Sequence, residues 1–204
     1  EQFAVVNGLI SRWKSIYNKR ILPVCSNSPK SYSLLDIGFG GGDLPLKLSS
    51  WAREDEIDLA ITAIETDPRA CEYVDGLQTP KNVVFRQISS ADLLKEGKSF
   101  DFVISNHLLH HLRHNELQTL LDQSLQLSNR QILFNDIERS DLGYALFNAI
   151  SRPLFRSSFI TEDGLTSIKR SYTANELKNI VTDEWQVNRI FPFRLLLSYE
   201  HATH

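Results

Sequence analysis

The sequence predicts a doubly wound α/β fold: a mostly parallel sheet with helices on both faces and an antiparallel hairpin at its C-terminal edge. Three observations lead there. Between residues 32 and 134, near-continuous apolar runs alternate with helical stretches, as parallel strands buried on both faces require. The first run ends in Gly38-Phe39-Gly40-Gly41-Gly42, a glycine-rich turn that leads into a helix. Near the C-terminus two alternating segments flank Pro192, which suits a hairpin at a sheet edge.

Each element follows in order. Phe3, Val6, Leu9, Ile10, Trp13, Ile16 and Tyr17 recur at helical spacing, with Arg12, Lys14, Lys19 and Arg20 between them, and predict an N-terminal amphipathic helix. A Ser/Pro/Asn loop over residues 26–31 closes it. Residues 32–37 form the first strand and 44–51 the helix after the glycine turn. Residues 59–64 are the second strand, and Pro68 in a first turn opens a helix to 74. Residues 83–88, 100–105 and 131–134 are strands three to five, with a helix over 117–127. Residues 139–172 hold Gly143, Pro153, Gly164 and the aromatics Tyr144, Phe147, Phe155, Phe159 and Tyr172, and read as a helical insertion after the fifth strand. Thr173 with Glu176 makes a capping box for a helix through Val181, and residues 185–191 and 194–199 complete seven strands. The expected organisation is a single domain over 1–204. It comprises an N-terminal helix and linker (1–30), a core (31–138), the insertion (139–172), and a C-terminal helix with edge strands (173–204).

Composition narrows the function. The 204 residues are 42% apolar and 23% charged, which is ordinary for a globular chain. A net charge of −3 removes the simplest case for a general nucleic-acid binder. No apolar run approaches the ~20 residues of a membrane span. Cys25 and Cys71 lie far apart with no CxxC, so neither a disulfide framework nor a thiolate zinc site is expected, and a cytoplasmic setting fits best. The segment EQFAVVNGLISRW does not read as a signal peptide.

The informative stretch is Leu34-Leu35-Asp36-Ile37-Gly38-Phe39-Gly40-Gly41-Gly42-Asp43. Its glycines let the backbone turn tightly at the carboxyl end of a strand, where doubly wound sheets bind ligands. A phosphate loop is excluded, because no Lys-Ser or Lys-Thr follows. A diphosphate dinucleotide is disfavoured, because the third glycine of GxGxxG falls on Asp43, whose carboxylate would repel phosphate at a helix N-terminus. An acid there suits a phosphate-free nucleoside with a positive centre, and S-adenosylmethionine is one.

Asp36-x-Gly38-x-Gly40-x-Gly42 resembles the first motif of the class I S-adenosylmethionine-dependent methyltransferases. Ile61-Thr-Ala-Ile-Glu65-Thr-Asp67-Pro68 is similar to the second strand of that family, and the resemblance puts Glu65 on the ribose hydroxyls. Phe100-Asp-Phe-Val-Ile-Ser-Asn106-His-Leu-Leu-His-His111-Leu resembles the fourth strand and its exit. The resemblance implies a seven-stranded Rossmann-like enzyme, with cofactor contacts at Asp36, Gly38, Phe39, Gly40, Gly42, Asp43, Glu65, Thr66 and Asn106. The aspartate that the family often sets after the third strand, at the adenine, is replaced by Ser89, with Asp92 three residues on. Adenine recognition then falls to Ser89, Ser90 and Ala91.

His107, His110, His111 and His114 are spaced i, i+3, i+4, i+7, which would place them on one helical face. A metal site lacks the HExxH pattern and a neighbouring carboxylate or cysteine, and no metal is expected. A structural reading packs His111 near the sheet edge and solvates His114. A catalytic reading makes His107, His110 or His111 part of the acceptor site, with His107 or His110 taking a proton from an acceptor hydroxyl. Asn135 and Asp136 end the fifth strand within reach of a substrate, while Glu138 and Arg139 are expected to brace each other or the insertion. The insertion resembles the lid of small-molecule methyltransferases of polyketide and quinone pathways, and its aromatics suit a hydrophobic acceptor.

The leading expectation is methyl transfer from S-adenosylmethionine to a small aromatic or hydroxylated metabolite, O-directed, with neither membrane nor nucleic acid as partner. Strand four ends Ser-Asn-His, not the Pro-Pro-Tyr type of exit with which amino-directed nucleic-acid methyltransferases stack a flipped base. C-methylation of a quinone-type acceptor, an RNA or protein acceptor, and a non-catalytic cofactor-binding subunit remain the alternatives.

Overall fold

The computed structural model describes residues 12–26, 30–154 and 160–202, with backbone alone at 152–154 and 160. Strands β1 (Tyr32–Ile37), β2 (Leu59–Glu65), β3 (Val83–Gln87), β4 (Phe100–Asn106), β5 (Ser128–Ile137), β6 (Gln186–Ile190) and β7 (Arg194–Glu200) form one seven-stranded sheet in the order β3-β2-β1-β4-β5-β7-β6. Strands β1 to β5 are parallel, and β7 runs antiparallel between β5 and β6. Strand order reverses between β1 and β4, so a crevice opens there at the carboxyl ends, the usual ligand position of such sheets.

Alternating residues of each strand feed two cores. On one face Leu35, Val103, Ile132 and Phe134 pack with α5 (Ser90–Lys95), α6 (His114–Leu127) and α9 (Ala174–Ile180) through Leu93, Leu121 and Leu177. On the other, Leu34, Phe102, Ile104 and Leu133 meet α1 (Trp13–Ile16), the π-helical turn Tyr17–Ile21, α2 (Leu22–Ser26) and α3 (Asp43–Glu54) through Trp13, Tyr17, Ile21 and Leu48. Helix α4 (Pro68–Asp75) covers the β2–β3 side, and its Asp67 cap accepts from the Arg69 backbone amide. The region after β5 is helical as expected, in α7 (Asp141–Leu154) and α8 (Ile160–Arg170), and the Thr173–Glu176 capping box opens α9.

Several expectations need correction. Strand β5 runs from Ser128 to Ile137, because pairing with both β4 and β7 extends it beyond its apolar centre. Residues 89–91 are the cap and first turn of α5, an element the sequence reading missed. The histidines do not share a helical face. His107 has a left-handed backbone with φ 60°, Leu109–His111 form one 3-10 turn, and His114 opens α6. His111 is exposed, not packed, and its ring lies 4.1 Å from that of His110. Glu138 and Arg139 do not pair with each other: Arg189 Nε donates to Glu138 at 2.6 Å, while the Arg139 side chain pairs with Glu176 and its backbone amide donates to Tyr172 O at 3.0 Å, at the end of the insertion. The part of the N-terminal helix over residues 1–11, and Phe155 and Phe159, lie outside the described residues.

Gly42 shows why the turn is glycine-rich for packing as well as for a ligand. Its φ is +75°, and a Cβ would sit 2.9 Å from Val74 Cγ1 and 3.0 Å from Phe85 Cζ. Gly42→Ala is therefore expected to destabilise the fold by roughly 1–3 kcal/mol through overpacking and left-handed strain. Urea unfolding of the two proteins checks this, and equal midpoints at equal slope would contradict it.

Candidate active site

The loop Gly38–Gly42 hangs from the end of β1. The Gly38 and Phe39 amides donate to Ile64 O at 2.8 and 3.4 Å, which ties the turn to β2. Phe39 is buried in the core, edge-on to Phe85 at 4.9 Å, so only its backbone belongs to the loop. Gly40, with φ +52°, has nothing within 4 Å of a Cβ position, and its amide donates to Glu65 Oε2 at 3.4 Å. The other oxygen of Glu65 accepts from the Thr66 and Asp67 amides at 2.7 and 3.2 Å. Glu65 is thus a carboxylate aimed by backbone at the glycine turn. Asp43 is exposed in the first turn of α3.

Beside this turn lies a cavity of ≈ 300 Å³. Of the residues expected to touch the cofactor, Gly38, Glu65, Thr66, Ser89 and Ser90 line it. The hydroxyls of the two serines are engaged: Ser89 accepts from the Asp92 amide and donates to its carboxylate, and Ser90 donates to Gln123 Oε1 at 2.5 Å. Ala91 sits one residue further along α5. The wall that sequence reasoning missed combines apolar loop residues, Ile88, Leu108 and Leu112, with a polar strip of α6, Asn115, Glu116, Thr119 and Gln123. No motif marks these residues, so only their position could have found them.

Asp36 is 1% exposed at the end of β1, and its Oδ1 has no hydrogen-bond partner. Burial, and then the nearby Glu65 carboxylate, push its pKa up to about 8. An orphaned buried carboxyl two residues from an open glycine turn is a site for a cation. The α-ammonium group of S-adenosylmethionine is one, and Glu65 offers an acceptor for a diol. The residues present fit the group.

A second cluster occupies the carboxyl ends of β4 and β5. His110 is 6% exposed and its Nδ1 meets Asp136 Oδ1 at 2.7 Å, while its backbone amide donates to Asp136 Oδ2 at 3.0 Å. Among the described residues no protein group hydrogen-bonds His110 Nε2. Burial alone would raise the Asp136 pKa, but the His110 hydrogen bond and the charges of His110, His107 and Arg194 outweigh it and hold the acid below the usual range. His107 is different. Burial and then the Arg194 guanidinium depress its pKa to about 3, and Arg194 Nη1 lies 2.8 Å from its Nε2 and 3.5 Å from its Nδ1. His110, with its Nδ1 held by Asp136, is the better placed base of the two. Asn106 belongs to this second cluster through Arg194 Nη2, at 3.0 Å from its Oδ1.

Ligand atoms of His107, His110 and Asp136 lie within 4.8 Å of one another, close enough to share a metal ion. Arg194 already sets one positive charge in this cluster, 2.8 Å from His107 Nε2, to balance the Asp136 carboxylate.

The fold and this cleft define an α/β domain with a nucleoside-type pocket over β1 and β2 and a polar cluster over β4 and β5. Residues 34–131 match the family model described as a methyltransferase domain. The matched segment is an enzyme domain. No curated protein matches the sequence. Among solved structures it is similar to the plantazolicin methyltransferase BpumL in complex with a triazolic desmethylPZN analogue and S-adenosylhomocysteine, with TM-score 0.63 and 14% identity over 97% of this chain and 83% of that one. Magnesium protoporphyrin IX methyltransferase from Synechocystis PCC 6803 gives 0.58 and 14%, covering 94% and 84%. Human N-acetylserotonin methyltransferase gives 0.60 and 14%, covering 93% of this chain and 52% of the other. At such identities the likeness is one of fold. No helix among the described residues is long and apolar enough to cross a membrane.

Proposed function

We propose that the chain moves a methyl group from S-adenosylmethionine to a hydroxyl oxygen of a small, apolar, aromatic or enolic acceptor. The observation that carries this reading is the buried His110–Asp136 pair at the carboxyl ends of β4 and β5, of which β4 is the neighbour of β1. Asp136 holds the Nδ1 proton, which leaves Nε2 as the acceptor for a hydroxyl proton. The cofactor, when bound, supplies a methyl group made electrophilic by its sulfonium centre. The protein orients the acceptor, removes its proton and excludes water. Glu65 binds the ribose hydroxyls, Asp36 the ammonium group, and Gly38 and Gly40 clear the way for close approach. Methyltransferases of similar fold named for magnesium protoporphyrin IX, plantazolicin and N-acetylserotonin support a small-molecule acceptor.

On this reading Glu65→Ala weakens cofactor binding by about 1.5–3 kcal/mol, as for hydrogen bonds to a charged group, and leaves the fold intact. Calorimetric titration with S-adenosylhomocysteine tests it. An unchanged dissociation constant would move the ribose contact away from Glu65. The acceptor class itself is tested by incubating the enzyme and cofactor with phenols, enols, quinols and bulk RNA, and identifying what becomes methylated.

A further inference from the structure

The lining of the cavity beside the glycine turn is continuous from Glu65 to the middle of α6. The Ile88 amide, just after β3, donates to Glu65 O at 3.1 Å. Two residues on, the Ser90 hydroxyl donates to Gln123 Oε1 at 2.5 Å. Asn115, Thr119 and Gln123 are spaced four apart and so lie in one row on α6, and all three line the cavity.

A base edge that enters this wall leaves water and needs hydrogen-bond partners there. Most polar side chains of the wall are already committed. Ser89 accepts from the Asp92 amide at 3.1 Å and donates to its carboxylate at 2.6 Å. Glu116 accepts from the Arg113 amide at 2.7 Å, and Thr119 donates to Asn115 O at 2.9 Å. The Asn115 side chain is exposed in the first turn of α6. Gln123 is half-buried, and Ser90 takes one of the two lone pairs on its Oε1. That separation is one of an O–H···O bond and too short for N–H···O, so the carboxamide nitrogen is turned away from Ser90. Among the described residues nothing accepts from Gln123 Nε2.

We propose that Gln123 reads the adenine base of the cofactor, with Nε2 donating to ring nitrogen N1 and the second lone pair of Oε1 accepting from the 6-amino group. This rests on the reading of the cavity as the S-adenosylmethionine site. N1 and the amino group make up the adenine edge remote from the ribose. With the ribose at Glu65 and the base laid past Ile88 and Ser90, that is the edge turned towards α6. A carboxamide matches its donor and acceptor together, as Asn and Gln do when they take adenine bidentately in DNA. Hypoxanthine presents the reverse pattern, an oxygen acceptor at C6 and an N1–H donor, and so meets acceptor with acceptor and donor with donor. Gln123 thereby selects an adenine nucleoside, a role that the capped hydroxyl of Ser89 cannot fill.

Calorimetric titration of the full chain with S-adenosylhomocysteine and with S-inosylhomocysteine tests this. The wild type should bind the adenine form about tenfold to a hundredfold more tightly, the worth of one well-placed bidentate pair. Gln123→Leu should bring the two affinities together, chiefly by weakening the adenine form. Gln123→Glu keeps the shape but cannot donate to N1, and its carboxylate accepts from N1–H, so the preference should shift towards the inosine form. Both substitutions keep a good helix former at a half-buried position, and melting temperatures should stay near that of the wild type. Glu65→Ala should weaken both ligands alike and leave their ratio unchanged, which separates the base contact from the ribose contact. Equal affinities in the wild type, or a ratio unchanged in both Gln123 variants, overturns the proposal. Failure of the wild type to bind S-adenosylhomocysteine at all would remove the cofactor reading, and this inference with it.

Discussion

His110→Ala is expected to slow methyl transfer ~10²–10⁴-fold, the usual worth of a positioned general base, while cofactor affinity stays as it was. The residual activity should rise with pH, as the acceptor ionises without help. Asp136→Asn should cost as much, because an amide in place of the carboxylate cannot accept both the Nδ1 proton and the His110 and Ile137 backbone amides that Asp136 now takes. The base then loses its fixed tautomer. His107→Ala separates the roles. Its ring titrates only near pH 3, so its loss should not remove an acid limb from the rate profile. Turnover and melting temperature measured for all three variants check these points. Wild-type turnover in both His107→Ala and His110→Ala would end the general-base mechanism and leave proximity and desolvation.

Asp36→Asn is expected to make the protein more stable and less able to bind its cofactor. Burial raises the Asp36 pKa from 3.8 to about 8, so ionisation is opposed in the folded state. Stability on this account is greatest below the unfolded value. It falls as pH rises from about 4 to about 8, because the unfolded state releases the proton first, and it is flat above. At neutral pH the penalty is roughly 4 kcal/mol at most, from 1.4 kcal/mol for each pH unit above the ordinary value. The amide removes this loss. It also removes the charge that would meet an ammonium group, at a cost to binding of about 1.5–3 kcal/mol. Melting temperatures from acid to alkaline pH should converge at low pH and separate at neutral pH, with the variant higher. Titration with S-adenosylhomocysteine, which retains the ammonium, should show the weakened affinity. A variant that melts lower at neutral pH, or binds as tightly as the wild type, would contradict this role for Asp36.

Much of the cofactor half was legible because its signals are local. Apolar runs, a glycine turn and an acid at the end of the second strand each report on their own neighbourhood: Asp36 and Glu65 lie at the carboxyl ends of β1 and β2, with Gly38 and Thr66 directly after those strands. The short helix α5 left a local signal too, since Ser89 and Asp92 have N-cap spacing, but Ser89, Ser90 and Ala91 read more readily as adenine contacts. The acceptor side was less readable. Its histidines have helical spacing, yet His107 takes a left-handed backbone that only tertiary contacts sustain. Arg194 was unreachable by periodicity. The antiparallel register of β5 with β7, which sets it opposite Ile137, is what brings a C-terminal arginine to Asn106, His107 and Asn135.

The central claim is that this cleft delivers a methyl group to the oxygen of a small acceptor. Its most direct test uses cofactor with an isotope-labelled methyl group, a panel of phenols and enols, and mass and NMR analysis of every product. The account predicts one labelled methyl ether for each molecule of S-adenosylhomocysteine formed, lost in His110→Ala and in Glu65→Ala at limiting cofactor. Label found on carbon, or on RNA or protein in place of the small acceptors, would contradict it.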